Sequence, residues 1–256
     1  MKTIITFLFL CILVAIFDSC THSGSASGAN ISGQGGLMAR FTIHDHYLYI
    51  VDNENLKVVD IATASEPKYL NQRDQRIGFD IETIFVKDTL LFIGSQEGMR
   101  IYDISREGLP QKISTVTHIR SCDPVVAQNG YAYVTLNSNN TWGGGQSNQL
   151  VVYNIKHPKI PLLVYEGSMT NPKGLGLDGD KLFVCDKGIR VYNISEPRSP
   201  KRMDDLSYIT ETSNAEIYDV IPMNGILMAA ANDGFYQFDY TQNKLNFISK
   251  ISVKEN

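Results

Sequence analysis

The sequence predicts an all-β fold, and three observations support this. Five segments repeat one phrase, in which an apolar strand, a short polar turn and a second strand end in Asp or Asn. No stretch with helical periodicity interrupts them. A unit of four short strands with a period near 43 residues is typical of a propeller blade, which buries its two faces only against neighbouring blades. We therefore predict a five-bladed β-propeller of four-stranded blades.

Each repeat is predicted to contain four strands, named a to d in chain order. Strands b and c form the repeated phrase, and an apolar stretch on either side supplies strands a and d. Glycine precedes strand c at Gly98, Gly188 and Gly234, where a tight turn requires a positive φ angle. We interpret the Asp or Asn at the end of strand c as a structural anchor that accepts backbone N–H groups. The five anchors are Asp60, Asp103, Asn154, Asn193 and Asp239.

Residues 37–256 provide 220 residues, or 44 for each of five repeats. Two ways of closing the ring stay open: the first and last blades meet directly, or Ile31–Leu37 adds a strand to the last blade. The phrases LYIVD, LFIGS and LFVCD, each followed by VVDI, IYDI or VYNI, resemble the LVIVD-repeat family of bacterial propellers. That resemblance implies an extracytoplasmic propeller and identifies no catalytic residue.

The N-terminus is typical of an exported protein. Fourteen apolar residues follow Lys2, which suits a secretory signal but is too short to span a bilayer. Ser19-Cys20 resembles the lipobox of bacterial lipoproteins in the form seen in Bacteroidetes-type bacteria, which implies cleavage before Cys20 and its acylation. Ordinary cleavage nearby, or an uncleaved anchor, is the alternative. We thus predict a signal peptide over 1–19, a Gly/Ser-rich tether over 20–36 and the propeller over 37–256.

Composition narrows the classes of function. The net charge is −4, without a basic cluster, which argues against a nucleic-acid partner. We find no calcium loop, phosphate-binding motif or nucleophile elbow, so we expect no metal and no cofactor. The pair His44 and His46 has no third ligand at a recognisable spacing, and we interpret it as a solvated turn. Cys122 and Cys185 fit apolar strands and are predicted to be free thiols.

Charged residues are predicted at the start of strand a, where this strand lines the mouth of the central channel. One interpretation is a glycosidase, in which two carboxylates act as acid and base or nucleophile. The other, which we favour, is that these charges pair across a water-filled mouth, because nearby bases keep carboxylates ionised. The candidate residues are Arg40, Glu82, Asp123, Lys173 and Asp219.

Blade 3 has an irregular loop between strands b and c, over residues 137–148. The loop carries Trp142, the only Trp of the sequence, among several amides. An exposed Trp would provide a stacking platform for a sugar or peptide. The alternative is that the loop folds back and Trp142 shields apolar strand ends.

Taken together, the sequence predicts an exported propeller that is anchored in the membrane by lipid on Cys20. We expect an outer-membrane location, on either the periplasmic face or the cell surface, and a monomer. Its predicted function is a binding or interaction module for an envelope protein or a glycan. One alternative is a glycoside hydrolase or lyase that uses Glu82, Asp123 and Asp219, and another is a structural envelope component.

Overall fold

The computed structural model describes residues 40–106, 108–117, 124–138, 148–209, 215–242 and 244–253. Within these ranges the protein is all-β, and its strands form five antiparallel sheets of consecutive segments. Each sheet has the order a–b–c–d, so the predicted five-bladed β-propeller of four-stranded blades is confirmed. The predicted signal peptide, tether and Cys20, together with Ile31–Leu37, lie outside the described residues.

Blades 2, 3 and 5 each have four strands, and the channel strand a comes first in every blade. Blade 2 contains β6 (Ile81–Lys87), β7 (Leu90–Ser95), β8 (Gly98–Asp103) and β9 (Gln111–Thr117). Blade 3 contains β10 (Val125–Gln128), β11 (Tyr131–Leu136), β12 (Gln149–Asn154) and β13 (Leu162–Ser168). Blade 5 contains β19 (Ile217–Met223), β20 (Ile226–Ala231), β21 (Gly234–Asp239) and β22 (Asn246–Ser252).

In blades 1 and 4 the outer strand is divided into two short pieces, which the repeat pattern did not predict. Blade 1 contains β1 (Phe41–His44), β2 (Tyr47–Val51), β3 (Asn55–Asp60), β4 (Lys68–Tyr69) and β5 (Gln75–Arg76). Blade 4 contains β14 (Pro172–Asp178), β15 (Lys181–Asp186), β16 (Gly188–Asn193), β17 (Lys201–Arg202) and β18 (Tyr208–Ile209).

A single 3-10 turn divides each of these outer strands, at Asn71–Arg73 and at Asp204–Leu206. The turns let Leu70 and Leu206 pack into the apolar clusters beneath them. Burial of a leucine side chain stabilises the fold by about 1.5 to 3 kcal/mol, which offsets the loss of ladder hydrogen bonds.

The core lies between the blades. Four apolar clusters join blade 1 to 2, 2 to 3, 3 to 4 and 4 to 5. In each cluster, side chains of strands b and c pack against the opposite face of the next blade. Fully buried aromatic residues recur on strand b, namely Tyr49, Phe92, Tyr133 and Phe183. Among the described residues, however, no such cluster joins blade 5 to blade 1.

The predicted anchors all make the same local bond. In each blade, the anchor Oδ1 accepts a hydrogen bond from the backbone N–H two residues later, at 2.7 to 3.0 Å. The residue after the anchor also donates its N–H to the turn between strands a and b of the same blade. Bonds from Ser105 and Thr241 hold the pKa of Asp103 and Asp239 below the usual range, so both carboxylates accept them in ionised form.

The predicted glycine turns are also confirmed. Gly98, Gly188 and Gly234 have φ angles of 135°, 111° and 148°. At Gly98 there is a second reason for glycine, because an added Cβ would overlap the carbonyl oxygen of Val116 in strand d. Any side chain there would separate strands c and d.

The structure describes one of the two predicted free thiols. Cys185 is a buried free thiol, and burial raises its pKa well above the ordinary value. Cys122 lies outside the described residues. Within the described ranges, no helix has the length and apolar character needed to span a bilayer.

Candidate functional site

The loops from strand d to the next strand a and the turns from strand b to c lie together at one end of the blades. Hydrogen bonds between the two sets of loops establish this, for example from Ile77 N–H to the Glu54 carbonyl at 2.8 Å. We call this surface the channel rim. In the described part of the chain it comprises residues 52–54, 77–80, 96–97, 169–171, 187, 215–216 and 232–233 and the first residues of the a strands.

Three of the a strands begin with a β-bulge at the rim. The register of β6 against β7 shifts between Ile81 and Thr83, which leaves Glu82 as the extra residue. The same irregularity occurs in β14 between Pro172 and Leu175, and in β19 between Ile217 and Asp219. A bulge redirects a side chain and ends regular pairing. The predicted candidates Glu82 and Lys173 therefore lie where the backbone departs from the ladder, and so does Tyr218.

Lys173 and Asp219 lie near the starts of the neighbouring a strands β14 and β19. Lys173 Nζ lies 2.6 Å from Glu216 Oε1 and 4.3 Å from the centre of the Tyr218 ring. Its hydrogen bond lowers the pKa of Glu216. Asp219 Oδ1 accepts a hydrogen bond from the Val220 N–H at 2.9 Å. Since both carboxylates are held by donors, the cluster favours charge pairing over acid catalysis.

The other predicted candidates are placed differently. Arg40 Nη1 donates to Asn53 Oδ1 of its own blade at 2.8 Å, on the exposed surface. Glu82 lies half-buried in its bulge. Asp123 and Trp142 lie outside the described residues, so the Trp142 loop and the three-carboxylate site stay predictions.

Three of the described blades have a pair of polar side chains at the rim that the sequence did not lead us to predict. A carboxylate or hydroxyl at the end of strand b binds a basic side chain of strand c. The pairs are Asp52 with Lys57 at 2.9 Å, Ser95 with Arg100 at 2.6 Å and Asp186 with Arg190 at 3.2 Å. Their spacing of four or five residues was visible in the sequence, although it did not show which pairs are buried.

Of the two carboxylates in these pairs, that of blade 4 is the buried one. The Asp186 side chain is fully buried and accepts the N–H of Asn171 at 2.6 Å and that of Thr170 at 3.1 Å. These two donors belong to the loop that enters β14. Asp186 therefore fixes the loop from strand d to strand a directly beside Lys173.

Among the described residues of the rim, two exposed aromatic rings each lie beside a cation. Phe79 is 53% exposed, and the Arg76 guanidinium lies 5.0 Å from its ring centre. Arg76 also pairs with Glu54 at 3.1 Å. Tyr218 is 37% exposed beside Lys173. In the sequence, Phe79 could have been recognised as a candidate because it is the one apolar side chain in the polar loop Gly78-Phe79-Asp80.

The opposite end of the blades has a groove of about 660 Å³ between blades 2 and 3. Its walls are mainly apolar, with charged groups at the edge. The lining residues are Asp88, Thr89, Leu90, Asp103, Ile113, His157, Pro158, Lys159 and Ile160. Of the predicted site residues that the structure describes, none lines this groove.

The histidine pair of blade 1 forms the predicted turn. Asp45 adopts a positive φ of 53° between strands a and b, and His44 Nε2 lies 3.5 Å from its carboxylate. In the part of the chain that the structure describes, no three His, Cys, Asp or Glu side chains are grouped as metal ligands.

Comparison with known proteins supports the fold. The family model described as LVIVD repeat matches residues 36–72, which include most of blade 1. No curated protein matches the chain. Among solved structures, it is similar to the computationally designed Ika8 protein, with 15% identity over 84% of this chain and 65% of that chain, at a TM-score of 0.59.

Two natural proteins show the same likeness. BamB from Moraxella catarrhalis has 10% identity over 84% of this chain and 60% of that chain, at a TM-score of 0.54. A chain of the nidogen/laminin complex has 12% identity over 82% and 76%, at a TM-score of 0.56. The chain thus spans less than two thirds of the first two structures. It is a five-bladed β-propeller with an LVIVD repeat in its first blade.

Proposed function

We propose that the protein is an exported, membrane-anchored binding module that recognises an envelope protein or a glycan through the channel rim. The observation that carries the proposal is the pair of exposed rings, Phe79 beside Arg76 and Tyr218 beside Lys173. An exposed aromatic face stacks on a sugar or an apolar side chain, and the adjacent cation binds carbonyl or acidic groups. Such mixed sites are typical of recognition surfaces.

The rim is held in place before a ligand arrives. Asp186 fixes the loop before β14, and Arg100 is buried between Ser95 and Glu97, at 2.6 and 2.8 Å. A surface that is ordered in advance loses little conformational entropy on binding, which strengthens affinity. The buried pairs therefore support recognition by a rigid surface.

The charges around Lys173 support binding. Lys173 lowers the pKa of Glu216, so this carboxylate does not suit the role of a glycosidase acid, which needs a raised pKa. The similar fold in the nidogen/laminin complex shows that such a propeller occurs in a protein assembly. A protein or glycan ligand is thus the better-supported function.

The rim is tested by a double substitution, Phe79→Ala with Tyr218→Ala. Both residues are exposed, so the variant should fold normally. Because it lacks both aromatic rings, its affinity should fall by about 30-fold, or roughly 2 kcal/mol. Envelope proteins are captured from extracts, and glycans are screened on an array. The affinity of each identified ligand for the wild type and the variant is then measured.

The matched control for this experiment is Leu162→Ala, which removes an exposed side chain from the outer strand of blade 3. This variant should bind as the wild type does. If the double variant also keeps the wild-type affinity for every captured ligand, the channel rim is not the binding surface.

Membrane anchoring rests on the Ser19-Cys20 sequence and has its own test. We expect mass spectrometry of the mature protein to show an N-terminal Cys20 carrying acyl chains, and the Cys20→Ser variant to be released from membranes. An unmodified Cys20 thiol, or a mature N-terminus elsewhere, would contradict lipid anchoring while leaving the rim proposal intact.

A further inference from the structure

The outward face of blade 1 exposes apolar side chains that are buried in every other blade. We call it the first face, and it points away from blade 2. Phe41 is 55% exposed there, and Leu48, Ile50 and Val59 are only half-buried. The strand register makes Leu48 and Ile50 equivalent to residues that are 0% exposed in blades 2 to 5. These residues are Leu91, Ile93, Ala132, Val134, Leu182, Val184, Leu227 and Ala229.

Blade 5 has the complementary exposed surface, which we call the last face because it points away from blade 4. Phe235 is 55% exposed, and Met223 and Ile251 are exposed as well. In the other blades, the residues equivalent to Phe235 are at most 1% exposed. They are Leu56, Met99, Leu150 and Ile189.

The first face and the last face correspond to the two surfaces that meet wherever one blade packs against the next, which occurs four times within the chain. Within the protein, positions equivalent to Phe235 and Met228 pack on positions equivalent to Leu48 and Ile50 of the next blade. The geometry points to a second copy of this chain as the occupant: the last face of one copy packs on the first face of the other.

Side-chain size and polarity fit this pairing. The last face presents the flexible Met228 and the small Ala230 beside Phe235, and the first face presents the bulkier Phe41 and Ile50. The one base of strand c on the first face, Lys57, is already paired with Asp52. The contact would thus bury apolar surface without leaving that charge unpaired.

A second copy is favoured because each chain carries both halves. Two copies related by a two-fold axis join their five blades each into one ring of ten, which buries both faces of each chain. A foreign partner would have to imitate two different blade faces. Exposed apolar faces of this kind are unusual on a monomer, so the structure weighs against the monomer that the sequence leads us to expect. The inference is independent of the proposed function, because the two faces lie on the flat sides of the blades.

The oligomeric state of the full-length protein, purified in detergent, tests the inference by light scattering. The wild type should be a dimer, and Phe235→Glu and Phe41→Glu should each give a monomer, because a carboxylate cannot be buried unpaired. Both residues are exposed within one copy, so circular dichroism and thermal unfolding of the monomer should show a folded propeller. The control Leu162→Glu, at an exposed site of blade 3, should remain a dimer.

Cysteine cross-linking identifies the faces. In the blade contacts within the chain, strand b lies close to strand a of the next blade. Phe41→Cys and Met228→Cys are therefore made in separate chains and mixed, and oxidation should join the two variants in one disulfide-linked pair. A wild type that is a monomer at micromolar concentration overturns the inference. It is also overturned if the two cysteines, placed in one chain, form only an internal disulfide, or if the first face is found covered by a different protein.

Discussion

Replacing Asp186 with alanine is expected to destabilise the protein by about 3 to 5 kcal/mol, as is typical when one partner of a buried ion pair is removed. Its carboxylate is fully buried and serves three donors, namely the N–H groups of Thr170 and Asn171 and the guanidinium of Arg190. Alanine leaves the two N–H groups without their acceptor and Arg190 without its counter-charge, although Arg190 keeps the Asp186 backbone carbonyl and Thr170 Oγ1 as acceptors. Each unsatisfied buried donor has a desolvation cost of about 1 to 3 kcal/mol.

Urea unfolding followed by fluorescence gives the change in the free energy of unfolding. The isosteric variant Asp186→Asn is the control, because its carbonyl oxygen still accepts a hydrogen bond while the charge is lost. We expect it to be destabilised by less than the alanine variant. A loss below about 1 kcal/mol for Asp186→Ala, the range of a surface ion pair, would show that this carboxylate does not organise the rim.

Replacing Phe183 with alanine is expected to cost about 3 to 5 kcal/mol, the usual range for a fully buried aromatic residue. Its ring is 0% exposed between blades 4 and 5 and lies 4.9 Å from the Tyr240 ring. Alanine removes this contact and leaves a cavity between two sheets that cannot easily approach each other, since each sheet is held by its ladder bonds and blade 4 also packs against blade 3.

The control is Phe247→Ala, in the outer strand of blade 5, where the same side chain is 58% exposed. We expect a loss of about 1 kcal/mol or less, since most surface substitutions have small effects. Thermal unfolding of the two variants compares them directly. Equal losses would contradict the conclusion that stability resides in the contacts between blades.

The repeat pattern predicted the blades because each determinant of a blade is local. An anchor such as Asp60 and its N–H donor are two residues apart, and Gly98 meets a steric limit set by the adjoining strand. Five copies of these signals made the strand order visible. The divided outer strands were missed because Leu70 and Leu206 respond to apolar clusters formed with another blade.

The candidate site was predictable only in part. Alignment of the repeats placed Glu82 and Lys173 at the rim, where the structure has bulges. The partner of Lys173, however, is Glu216, which comes from the next blade, 43 positions away. Such a pairing depends on how two sheets pack, and no local pattern contains it. The same holds for the apolar faces of blades 1 and 5, because the sequence shows apolar strands without showing what covers them.

Hydrogen exchange in the presence of a captured ligand tests whether recognition occurs at the channel rim. We expect slower exchange over residues 77–80 and 216–219, around Phe79 and Tyr218, with little change at the other end of the blades. Slower exchange confined to residues 157–160, beside the groove between blades 2 and 3, would contradict it.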